Sequence, residues 1–227
     1  NLPEGVHLHR SSAALDAGFD VVILGIKPQL LTELAPEIAR ILNPGATVIS
    51  ILAGTRTDTL SACFPDARII RLMPNLAAAI GKSPLGVFAP HDDAQQRAEM
   101  ASLLAPLGAV IWIDDEAHMD AVTALVGSGP AFVYRFIDAL TQGGEAAGLP
   151  RDVAAQLALA MTEGAAILAA TSSETPTDLA RRVTSPGGTT AAGLAVLDSG
   201  SALNILMTDT LRAARDRGAE LAKGDAT

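Results

Sequence analysis

Between two helical patterns near the end of the chain stands Ser185-Pro186-Gly187-Gly188-Thr189-Thr190, after which alanines and leucines resume at once. A proline and two glycines stop a helix, and the restart follows within a few residues. The two glycines let the backbone fold so that N–H groups point inward. Thr189 and Thr190 then open a helix whose positive end favours an anion. Capping by one threonine hydroxyl would need no diglycine. With the hydroxyls of Ser185, Thr189 and Thr190 alongside those amides, the loop suits a carboxylate.

A second group of residues lies in the first half of the chain, just after short apolar runs: Gly25-Ile26-Lys27-Pro28, Leu52-Ala53-Gly54 and Met73-Pro74-Asn75. In an open parallel sheet, ligands lie beyond the carboxyl ends of the strands. Small or conformationally restricted residues there let backbone approach a flat cofactor closely. No Gly-x-Gly-x-x-Gly turn precedes Val21, so the dinucleotide reading rests on these three ends. Gly127-Ser128-Gly129-Pro130 joins two apolar helices, with Pro130 suited to a first turn. The four histidines and Cys63 form no cluster with metal-ligand spacing, and no metal is expected.

The elements that would position these residues divide near Asp114. Before it, apolar runs at 21–26, 46–52, 67–73, 85–89 and 109–113 alternate with helical patterns, a parallel α/β arrangement. After it the strands vanish, and helical patterns follow at 116–126, 130–147, 151–171, 176–183, 189–198 and 201–222. We therefore expect an α/β nucleotide-binding domain over 1–114 and an all-helical domain over 115–227. The helical half is apolar on more faces than one copy could cover, which predicts an intertwined homodimer. A formal charge of −9 with no basic run argues against nucleic acid. The single cysteine fits a reducing compartment, and a cytoplasmic enzyme is expected. The longest strictly apolar runs have the length of buried strands, so no membrane partner is expected.

Taken together, Leu24-Gly25-Ile26-Lys27-Pro28-Gln29, Arg71-Leu72-Met73-Pro74-Asn75, the segment Thr123 to Leu140 and the segment Arg181 to Asp198 resemble pyrroline-5-carboxylate reductases, across essentially the whole chain. The resemblance implies a Rossmann-type domain followed by a helical dimerisation domain, with NADP or NAD as cofactor and 1-pyrroline-5-carboxylate as substrate. It implies cofactor contacts at Ser12, Gly25, Ile26, Lys27, Pro28, Ala53 and Asn75. It implies substrate contacts at Glu116, Ser185, Gly187, Gly188, Thr189 and Thr190, with the Thr190 hydroxyl on the ring nitrogen. It also implies that the family's first strand, Gly-rich turn, first helix and second strand precede Asn1, so the chain is read as truncated and weakened in cofactor binding. The family continues Met-Pro-Asn with Thr-Pro, where this chain has Leu76-Ala77. Two alternatives share the layout. One is a two-domain hydroxy-acid dehydrogenase, expected to carry a catalytic lysine in the helical half, where only Lys223 stands. The other is a non-catalytic helical dimerisation module.

Overall fold

A computed structural model describes residues 4–16 and 18–222; Lys223 lies outside them. All five apolar runs form strands: β1 (Phe19–Leu24), β2 (Leu42–Ser50), β3 (Arg68–Met73), β4 (Ser83–Phe88) and β5 (Gly108–Trp112). They make one sheet in that spatial order. β1, β2 and β3 are parallel, linked by α1 (Leu31–Ile41) and α2 (Thr57–Cys63). Adjacent residues Val48 and Ile49 are both fully buried, so the sheet is covered on both faces at β2, which reads as a continuous apolar run, while Val21 and Ile23 on β1 and Ile111 on β5 stay exposed.

The sheet is not wholly parallel. β4 runs antiparallel to β3, because the connection between them holds only a short 3-10 turn, Leu76–Ile80, closed by Gly81 in the left-handed region. A parallel return would need a crossover of a dozen or more residues. β5 is parallel to β4, with α3 (Ala94–Leu104) as its crossover. Asn43-Pro44-Gly45, which punctuates the end of α1 in the sequence, falls inside β2, where it makes an irregularity: Leu42 pairs with Phe19 and Thr47 with Val21.

The start of α3 carries a capping box. Asp93 accepts from the Gln96 N–H at 2.9 Å, and the Gln96 side chain accepts from the Asp93 N–H at 3.0 Å. Asp93→Ala is expected to cost about 1 kcal/mol of stability, read as a lowered urea midpoint with an unchanged slope.

By packing, the chain forms two compact units, Asn1–Ser128 with Arg212–Thr227, and Gly129–Leu211. This boundary lies beyond the composition change at Asp114. The intervening segment, which holds α4 (Met119–Val122) and a π-helical turn over Thr123–Gly127, packs onto the sheet. Met119 and Val126 join Met73 and Phe88 in one buried cluster. Gly86 admits Val122 against β4, since a Cβ there would lie 2.4 Å from Val122 Cγ1.

The second unit contains α5 (Gly129–Ala146), α6 (Arg151–Thr171), α7 (Pro176–Arg182), α8 (Thr189–Leu197) and the first half of α9 (Ala202–Ala222). α5 and α6 approach closely where a Cβ on Gly144 would meet that of Ala154 at 3.1 Å. Within this unit only Thr141, Ala154 and Ala158 are buried. Leu157, Leu168, Val196 and Leu206 each leave more than half their surface exposed. A single copy has no core here to hold these helices. α6 is also long and apolar enough to cross a membrane, with a mean hydropathy of 1.6 over its most apolar window. The strictly apolar runs missed this because Gln156, Thr162, Glu163 and Gly164 interrupt its leucines and alanines.

Candidate active site

In the first unit, a concavity of about 460 Å³ opens near the carboxyl ends of the strands, lined by Pro28, Ala53, Gly54, Arg56, Arg71 and Glu116 among others. Ala53 and Gly54 sit in a turn closed by a Thr55 N–H to Leu52 C=O bond of 3.4 Å. Gly54 takes φ +73°, the left-handed value that the third position of a type II turn requires.

The expected cofactor residues separate into those that reach this concavity and those that do not. Pro28 and Ala53 line it. Gly25, Ile26 and Lys27 form the turn out of β1, with the Lys27 carbonyl accepting from the Leu30 N–H at 2.9 Å. Nothing in the fold demands glycine at position 25: a Cβ would only touch Ile51 Cδ1 at 3.7 Å. Ser12 lies in a 3-10 turn tied to α1, its carbonyl accepting from Arg40 at 3.2 Å. The Asn75 side chain is engaged within the fold. Its amide donates to the Val126 carbonyl at 3.2 Å, and its oxygen accepts from the Ala77 N–H at 2.9 Å.

Glu116 is also engaged. Its Oε1 accepts from the Thr57 N–H at 2.7 Å and from Arg71 Nη1 at 2.9 Å. Its Oε2 accepts from the Thr57 hydroxyl at 3.0 Å and lies 3.4 Å from Arg56. Arg56, Thr57 and Arg71 did not stand out in the sequence. Arg71 did carry a signal, as a charge in the middle of the apolar run Ile69 to Met73, where an unpaired charge is not tolerated.

In the second unit, Ser185 to Gly188 form a turn closed by a Gly188 N–H to Ser185 C=O bond of 3.0 Å. Gly187 has φ +72°, which favours glycine, and a Cβ on Gly188 would sit a tight 3.1 Å from the Ser185 carbonyl oxygen. Gly188 is the N-cap of α8 and contributes no side-chain cap. Thr189 and Thr190 follow as its first two helical residues, so neither hydroxyl is the cap. The hydroxyls of Ser185, Thr189 and Thr190 have no partner among the described residues. The first N–H groups of any helix lack intrahelical partners. Amides and hydroxyls are thus presented together.

The loop's support is better satisfied. Thr184 donates to the Ala180 carbonyl at 2.6 Å, and Arg182 pairs with Glu174. Thr175 caps α7 and donates to Asp178 at 2.6 Å. That bond, with the neighbouring Arg181, holds the Asp178 carboxyl below its usual range. Among the described residues no group of three His, Cys, Asp or Glu could hold a metal ion.

Residues 116–221 match the pyrroline-5-carboxylate reductase dimerisation family. The pyrroline-5-carboxylate reductase of Pseudomonas aeruginosa is 39% identical over 215 residues, covering 94% of this chain and 78% of that one. That of Synechocystis is 40% identical over 205 residues, covering 90% and 76%. Among solved structures, the enzyme from Coxiella burnetii superposes with a TM-score of 0.87 at 33% identity, over 96% of this chain and 81% of that one. A Plasmodium falciparum pyrroline carboxylate reductase with NADP bound gives 0.77 at 25% identity, over 89% and 77%. A Rossmann-like domain followed by helices, a diglycine turn that leaves hydroxyls unspent and identity of this extent over nearly the whole chain agree: the chain belongs to the pyrroline-5-carboxylate reductase family.

Proposed function

We propose that the protein reduces 1-pyrroline-5-carboxylate to L-proline with NADPH or NADH. The observation that supports this most is the loop Ser185 to Thr190, whose uncapped helix amides and unpartnered hydroxyls match a small carboxylate beside a ring nitrogen. The amides at Thr189 and Thr190, the first of α8, receive the carboxylate with Ser185 at its rim, and the Thr190 hydroxyl accepts from the protonated ring nitrogen or donates to the neutral one.

The first unit suits the nicotinamide end of a dinucleotide. Glycine at position 25, unforced by the fold, leaves room beside the turn Ile26-Lys27-Pro28, and the Ala53-Gly54 turn presents backbone with little side chain. Asn75 serves this end indirectly, by fixing the turn that follows β3, and Ser12, in the turn before β1, is assigned to the adenosine end. The bound cofactor supplies a hydride to the C=N carbon, and a proton ends on the ring nitrogen. The protein's part is orientation: transfer needs the two carbons close and aligned, and holding them so supplies much of the acceleration.

The match to a dimerisation family and the exposed apolar helices support a homo-oligomer, and we assign it as a homodimer built from 115–227, with 1–114 as the nucleotide-binding part. The activity is tested by incubating the full-length protein with NADPH and 1-pyrroline-5-carboxylate. One L-proline formed per NADPH consumed is expected. NADPH consumption without proline, or none at all, would overturn the assignment.

A further inference from the structure

Arg71 lies on β3, a strand paired on both sides, and its side chain is only 4% exposed. A buried guanidinium needs a counter-charge in good geometry, and Glu116 supplies it from outside the sheet at 2.9 Å. The same carboxylate does a second thing. α2 has no side-chain cap of its own, since its N-cap is Arg56. Glu116 provides the cap from 59 residues away, accepting both the N–H and the hydroxyl of Thr57, the first residue of α2. α2 begins directly after the turn that carries Ala53 and Gly54. That turn is therefore held on one side by the buried residues Leu52 and Thr55 and on the other by Glu116.

We propose that Arg71 and Glu116 are positioning residues: their ion pair fixes the Ala53 to Thr57 turn in the conformation that receives the nicotinamide end of the cofactor, and Glu116 acts through this geometry rather than as a charge facing the substrate. The inference rests on the assignment of the concavity to the cofactor. Arg71 orients the carboxylate, the carboxylate orients α2, and α2 orients the turn.

The test compares Glu116→Ala, Glu116→Gln and Thr57→Val in the full-length protein, by NADPH titration, steady-state kinetics and melting curves. Wild-type NADPH binding is measured first, so failure of the cofactor assignment registers separately as absence of binding. Glu116→Ala is expected to weaken NADPH binding about tenfold or more, the scale of losing hydrogen bonds to a charged group, and to raise KM for NADPH more than it lowers kcat. Glu116→Gln keeps an acceptor for the Thr57 N–H and Arg71, and its amide can donate to the Thr57 oxygen. It should restore most of the affinity lost in Glu116→Ala. Thr57→Val, which keeps the amide and removes the hydroxyl, should weaken NADPH binding roughly threefold with the fold intact, and it carries the test if Glu116→Ala does not fold. Two results would overturn the proposal. One is a Glu116→Gln variant whose kcat falls as far as that of Glu116→Ala while NADPH affinity is unmoved in both. The other is a lowered melting temperature in Glu116→Ala or Thr57→Val with unchanged NADPH affinity.

Discussion

Thr190→Val is expected to lower kcat/KM for 1-pyrroline-5-carboxylate about tenfold to hundredfold, since losing one hydrogen bond to a charged group costs roughly 1.5–3 kcal/mol. Valine keeps the volume and branching of threonine and removes only the hydroxyl. Among the described residues that hydroxyl has no partner, and α8 is capped by Gly188 without any side chain. The melting temperature should therefore stay near that of the wild type, and NADPH affinity should barely change. A variant with unchanged kcat/KM and a lowered melting temperature would mean that Thr190 serves the helix and not the substrate. Steady-state kinetics beside a melting curve on the same sample separates the two.

Leu168→Glu on α6 is expected to take the proposed dimer apart. In one copy this leucine is 59% exposed and helps line an apolar hollow of about 480 Å³ with Leu179 and Val183. An isolated exposed leucine tolerates glutamate at almost no cost. If the face is buried against a second copy, each chain loses roughly 1.5–3 kcal/mol of apolar burial. A two-fold interface counts that loss twice, so association should weaken by about 10²–10⁴-fold. Sedimentation equilibrium across a concentration series measures it. Retention of the wild-type dissociation constant would remove α6 from the interface.

The residues that turn a chain were the most legible. Gly187 in the loop and Gly54 after β2 stand where a positive φ favours glycine, and this is a local demand that sequence carries. The five strands were legible as short apolar runs, most plainly β2 and β4, whose later residues are buried on both faces and leave no polar alternation to blur them. The direction of β4 was not. It depends on the length of the connection from Met73 to Ser83, which a count of apolar runs does not weigh. The boundary at Ser128 was hidden because Met119, Val122 and Val126 look helical in sequence, and only the sheet they cover reveals which unit they join. Glu116 and Asn75 show the limit at the site itself. Their partners Thr57, Arg71 and Val126 lie 45 or more residues away, and hydrogen bonds of that span leave no periodic trace.

The most direct test of the central claim, that the loop from Ser185 to Thr190 holds the substrate, is a titration of the full-length protein with L-proline in the presence of NADP⁺, followed through the backbone amide resonances of Thr189 and Thr190. A carboxylate seated on the start of α8 accepts hydrogen bonds from these amides, so their proton resonances should shift and saturate together, at one dissociation constant that matches proline's product-inhibition constant. Saturable product binding that leaves those two amides unmoved while resonances elsewhere shift would contradict the account.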